Sequence, residues 1–159
     1  MLYRFLLVTL LLTGFCSDNI YAQTDSTKTP KNSVYIEAGG KAELYSLNYE
    51  RQIYKVNNVK GGLAAGGAYL KLFEAWYASL EHNLMFGSSM HNLEIGAGAN
   101  YRYITDTSIT ADVFYINGRI GYRFQPEQKG VLMRLSYTPL FRPNGGFLNW
   151  VGLSFGYAF

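Results

Sequence analysis

Four glutamates and four arginines are the residues of this sequence whose types and spacing could do the most: Glu37, Glu50, Glu81 and Glu94, with Arg102, Arg119, Arg123 and Arg134. Each sits in a stretch of alternating side chains, and each falls on the polar parity of its stretch. Successive Cβ atoms of a strand point to opposite faces, so the eight would share one face of a sheet. If that face is enclosed, the acids and bases must pair, because an isolated buried ion is too costly. Two readings follow: a structural salt-bridge plug, or the polar lining of a pore or proton path. An enclosure of about eight strands is just wide enough for side chains to fill, which favours the plug.

Other candidate chemistry is thin. His82 falls on the apolar parity of its stretch and His91 beside a turn, with Ser88 and Ser89 nearby. A Ser–His nucleophile requires hydrogen-bond reach, and serines at a turn more often serve the turn. Asp106 and Asp112 bracket a polar loop, where two acids could activate water, but solvated loop carboxylates are the plainer account. No metal-ligand spacing appears. The pairs Gly61-Gly62 and Gly66-Gly67 lack the lysine and helix of a phosphate cradle, and fit tight curvature or close approach of a neighbour instead. No catalytic, cofactor or metal residue is expected.

The elements that must position the charges are strands; no helical period runs anywhere from Ser33 onward. Eight are expected, at about 33–39, 43–52, 59–71, 75–86, 91–103, 111–124, 130–140 and 147–159, with a turn over Tyr54 to Asn58. The last is the most telling. Val151, Leu153, Phe155, Tyr157 and Phe159 take one face, and Gly152, Ser154, Gly156 and Ala158 the other. Such a strand left at a soluble edge would invite aggregation. A closed barrel in lipid pairs its backbone and covers its apolar face at once.

Strands of this length suit a tilted crossing of a bilayer, which takes about 9–11 residues. Outward aromatic residues near strand ends are expected to form two girdles: Tyr69, Tyr101, Tyr103 and Phe141 at one rim, and Phe86, Tyr122, Phe124, Tyr157 and Phe159 at the other. The rival is a soluble ligand-binding barrel, which reverses the side each parity class occupies. The fold class is therefore read as all-β: an eight-stranded antiparallel up-and-down transmembrane β-barrel.

Ahead of it, residues 1–22 read as a cleavable signal peptide. Arg4 gives the positive start, Phe5 to Phe15 the apolar run and Ala22 the small residue before the cut. Eleven apolar residues are too few for a spanning helix, which needs about 20. Cys16, the single cysteine, would go with this segment unless it marks a lipoprotein-type cut, for which Phe15 is a poor neighbour. Residues 23–32 form a polar lead-in, and 33–159 the barrel domain. Removing Arg4 and Asp18 leaves the net charge at +3, too small and dispersed for nucleic acid. A mean hydropathy of −0.04, with 14 Tyr and 17 Gly, fits alternation better than apolar helices.

From Ser33 to Phe159 the chain resembles the small outer-membrane barrels of Gram-negative bacteria, most closely those of the Bacteroidota type. The likeness is carried by Leu44-Tyr45-Ser46-Leu47-Asn48-Tyr49-Glu50-Arg51, His91-Asn92-Leu93-Glu94-Ile95-Gly96, Gly121-Tyr122-Arg123-Phe124-Gln125-Pro126 and the ending Gly156-Tyr157-Ala158-Phe159. It implies residence in the outer membrane, lipid contacts, and recognition of Val151, Leu153, Phe155, Tyr157 and Phe159 by the barrel-assembly machinery. A monomer is expected, with a structural or surface-interaction role and no enzyme activity. The alternatives are a narrow channel or transporter, and a lipid-modifying enzyme built on His82, His91 and the nearby serines. All the connections are short, unlike the long outer loops usual in such barrels, so sidedness rests on the C-terminal strand alone.

Overall fold

A computed structural model describes residues 30–87, 90–105, 110–143 and 145–159, with the side chains of Phe73 and 110–112 outside that description. The signal peptide, most of the lead-in, Cys16, Ser88, Ser89, Asp106 and the side chain of Asp112 fall outside the described residues.

Ten strand segments follow in order: β1 (Asn32–Gly39), β2 (Tyr45–Val56), β3 (Val59–Leu70), β4 (Ala75–Phe86), β5 (His91–Thr105), β6 (Thr110–Phe124), β7 (Gly130–Tyr137), β8 (Leu140–Phe141), β9 (Phe147–Leu148) and β10 (Val151–Ala158). Each long strand pairs antiparallel with the next, and β10 lies between β7 and β1, so the sheet closes on itself as an eight-stave barrel. The closing seam runs in register from Ser33 opposite Ala158 to Gly39 opposite Gly152. Closure leaves the long strands with no free edge, which is the problem the last strand posed.

Two local departures from the expected strands have plain causes. The seventh stave breaks at Thr138–Pro139 into β7 and β8, because proline has no N–H for the ladder. The Pro139 carbonyl still accepts from the Gly118 N–H at 3.0 Å, and the Thr138 N–H donates to the Trp150 carbonyl at 2.7 Å, so the wall stays continuous. In β2 the strand runs on to Val56, and the expected turn shrinks to Asn57–Asn58, with Asn57 at φ 52°. Asparagine tolerates that left-handed geometry better than most residues. A register shift between Gln52 and Tyr54 accommodates Ile53 as the extra residue.

The polarity of the barrel is inverted relative to a water-soluble protein. Ile36, Leu153 and Phe155 are about 60% exposed on the outer wall, while Glu37, Glu50, Glu81, Glu94, Arg119, Arg123 and Arg134 are buried inside. The aromatic pairs Tyr69–Trp76 and Phe141–Phe147 lie towards one rim, with ring centroids 4.8 and 5.1 Å apart. His91 packs against Tyr122 and Phe124 near the other. The soluble-barrel rival requires the reverse arrangement.

Inward glycines make room for inward polar side chains. A Cβ on Gly66 would lie 2.0 Å from Asn48 Oδ1, one on Gly96 2.1 Å from Asn83 Oδ1, and one on Gly156 2.4 Å from Tyr35 Cβ. The glycine-rich β3 is thus shaped by close approach of its neighbours' side chains.

Candidate functional site

Seven of the eight charges expected inside form one connected network with Lys41. Arg119 lies at its centre. Its Nε donates to Glu81 Oε1 at 2.7 Å, its Nη2 to Glu37 Oε1 at 3.0 Å, and its Nη1 to Ser136 Oγ at 2.6 Å. Arg134 Nη1 donates to Glu94 Oε1 at 2.6 Å, its guanidinium approaches Glu37 at 3.5 Å, and it stacks 4.4 Å from the centre of the Tyr35 ring. Arg123 Nη1 is shared between Glu50 at 2.7 Å and Glu94 at 3.2 Å. Arg123 and Arg134 stand directly opposite each other on β6 and β7. That like-charge pair is tolerable because both guanidiniums also hold Glu94.

Lys41 is the member that sequence reading missed. It belongs to a short 3-10 turn, Gly40–Ala42, that dips into the barrel mouth, and its Nζ reaches Glu81 Oε2 at 2.9 Å. Burial, the largest influence, pulls the Lys41 amine down, but Glu81, Tyr35 and Glu37 more than offset it, so its pKa stands above the ordinary lysine value. The signal was the pair Gly39-Gly40. Both take positive φ, at 71° and 63°, a region open to glycine, and this turns the following residue inward. A Cβ on Gly40 would also collide with Glu37 Oε1 at 1.8 Å.

Arg102 does not join this network. It sits near the C-terminal end of β5, level with Tyr77 and Val113 on the neighbouring strands. There it pairs with Glu43 at 2.9 Å and lies against the Tyr115 ring. Parity fixes the face of a residue but not its height along the barrel, and Arg102 is too far towards the mouth to reach the central acids. Lys41 takes its place in the charge balance, leaving four acids against four bases in the central network.

At that same end of the barrel Ala42, Leu70, Ala75, Tyr77, Tyr115 and Leu140 form a buried apolar cluster. Tyr115 Oη donates to the Lys41 carbonyl at 2.9 Å, and Trp150 Nε1 to the Glu43 carbonyl at 2.8 Å, fixing the turn from both sides. Glu43, at φ 69°, also meets Arg142 at 3.3 Å. Further inside, Asn117 donates to Glu81 at 3.1 Å and Asn100 to Asn117 at 2.9 Å, extending the polar web.

The histidines lie on the outer wall: His82 meets Tyr54 at 3.3 Å, and His91 bonds Tyr122. Among the described residues no group of three or more His, Cys, Asp or Glu is placed to hold a metal ion.

No family model matches the sequence, and no curated protein matches it. Solved structures do. The N-terminal β-barrel domain of Pseudomonas aeruginosa OprF is similar at a TM-score of 0.59 and 13% identity, covering 85% of this chain and all of that one. Neisserial surface protein A follows at a TM-score of 0.44 and 9% identity, over 82% of this chain and 92% of its own. Ail, the attachment invasion locus protein of Yersinia pestis, follows at 0.42 and 11%, over 82% and 95%. At such identities the likeness speaks for the fold, and the OprF domain carries it. The chain thus has the closed, eight-stave antiparallel barrel fold of small outer-membrane proteins.

Proposed function

We propose that this chain is an integral outer-membrane β-barrel whose lumen is plugged by its ion-pair network and whose role is structural or interaction-based, without catalysis. The inverted polarity carries the membrane reading: a closed ring with an apolar wall outside and paired charges inside suits lipid and would be unstable in water. The plug rests on the contacts of Arg119, Arg123 and Arg134, each of which engages at least two carboxylates across the lumen. The non-catalytic reading rests on His82 and His91, whose ring partners are tyrosines on the outer wall. Export by residues 1–22, insertion through the assembly machinery, a monomeric state and the Bacteroidota type follow from the sequence resemblance and belong to the same proposal.

The test combines a heat-modifiability gel and membrane fractionation with planar-bilayer conductance. The refolded barrel is expected to migrate anomalously when unheated, to fractionate with the outer membrane and to show no sustained conductance. Solubility without detergent would overturn the membrane reading, and steady single-channel openings would overturn the plug. A narrow channel is the second reading. It is favoured by Asn48 Oδ1 and Asn83 Oδ1, buried polar atoms that no protein group among the described residues takes up and that water in a lumen would satisfy.

A further inference from the structure

The outer wall carries a groove of about 710 Å³ across β1, β2 and β3. Its floor is Ala65 and Gly67, which face outward where neighbouring strands present Tyr49 and Leu47. Val34 on β1 flanks it, and from Leu47 to Arg51 the groove runs four residues along β2, about 14 Å at 3.4 Å per residue. The walls are apolar along this length. At the end nearest Asn32 and Phe159 the groove meets Arg51, which points outward on the same face as Leu47 and Tyr49. Among the described residues Arg51 forms no ion pair.

An apolar trough ending in an unpaired guanidinium is amphipathic in one direction, and so is a glycerophospholipid. We infer that this groove holds one acyl chain of an anionic glycerophospholipid, with the lipid phosphate on Arg51. The inference rests on the membrane reading. A guanidinium donates two parallel hydrogen bonds to a phosphate, and a basic side chain at a membrane interface attracts anionic headgroups. Arg51 lies at the end of the barrel where the two chain termini of the described sheet meet, so the lipid belongs to the leaflet on that side.

The test refolds the chain in detergent, supplies an equal mixture of phosphatidylglycerol and phosphatidylcholine, and counts retained lipid by native mass spectrometry. Wild type is expected to keep one phosphatidylglycerol. Arg51→Gln should lower the preference for phosphatidylglycerol by about fivefold, the factor that one basic side chain near an anionic surface contributes. Gly67→Leu should abolish retention by filling the trough. A Cβ at Gly67 meets only the Tyr77 carbonyl oxygen, at 3.4 Å, and the heat-modified band shows that the variant scored has folded. A folded wild-type barrel that keeps no lipid, or keeps it equally in both variants, overturns the inference. So does a dimer that Gly67→Leu dissociates, which would assign the trough to a second copy. A chain that never forms the heat-modifiable species in detergent fails the membrane reading instead, and the gel separates the two.

Discussion

Arg119→Met removes the cation shared by Glu81, at 2.7 and 3.2 Å, and Glu37, at 3.0 and 3.1 Å. Methionine fills much of the same volume, so the loss is one of charge rather than packing. Glu81 keeps Lys41 and Asn117, and Glu37 keeps Arg134 at 3.5 Å, but two carboxylates are left close together with one guanidinium fewer. Removing one partner of a buried pair costs about 3–5 kcal/mol; with a urea slope of about 2 kcal/mol/M, the midpoint should fall by roughly 2 M. The assay is urea unfolding in micelles, followed by the fraction of heat-modifiable band. The double variant Glu81→Gln with Arg119→Met restores the charge balance, and the carboxamide oxygen introduced on β4 still accepts from Lys41. Its cost should fall short of the sum of the single costs by about 1–3 kcal/mol. Arg142→Ala, which removes an exposed partner of Glu43, serves as the control at about 1 kcal/mol or less. If Arg119→Met moves the midpoint no further than that control, or the single costs simply add, the network does not hold the interior together.

Leu153→Arg, placed well along the outer face of β10, should cost about 2–4 kcal/mol in vesicles, while Val56→Arg at the end of β2 should cost about 0–1; equal costs would contradict a lipid-facing wall. Gly66→Ala should destabilise by about 1–3 kcal/mol because its Cβ meets Asn48 Oδ1, whereas Gly67→Ala one position on should be nearly neutral, both measured by the same urea titration. Glu43→Ala frees Arg102 and Arg142 at the mouth but leaves the central network paired, so bilayer conductance should stay at baseline. Phe159→Ala should leave refolding in detergent intact, since the Phe159 backbone bonds to Asn32 survive, but should slow insertion in cells as read by outer-membrane fractionation.

Alternation alone made the two faces of the barrel legible, because burying one parity class of a strand decides every side chain in it. The ring was legible too, since the last strand could not be left as an edge. Height along the barrel was not. Arg102 and Arg119 share a parity, yet one pairs with Glu43 at the mouth and the other with Glu37 and Glu81 inside, a difference set by strand register. Lys41 was hidden for another reason: it lies in a turn, where period-2 reasoning has no purchase, and two glycines with positive φ aim it inward. The break at Pro139 could have been read from the missing N–H, but how its neighbours repair the wall depends on Trp150, which is distant in sequence.

The contacts between inward polar side chains and inward glycines bear on a choice that hydrophobic alternation leaves open. Sliding one strand past its neighbour by a single residue would send every apolar side chain to the wrong face, but sliding it by two preserves the pattern entirely. The side that each residue faces would be unchanged by that second error. The side-chain contacts are not. In the observed alignment Asn48 faces Gly66, Asn83 faces Gly96 and Tyr35 faces Gly156. A two-residue slip would set Asn48 against Ala64 or Ala68, Asn83 against Glu94 or Gly98, and Tyr35 against Ser154 or Ala158. In all but the Gly98 case a side chain occupies the space that glycine leaves open. The missing side chains thus work as an alignment key, distinguishing the true pairing from the neighbouring ones that alternation alone would accept.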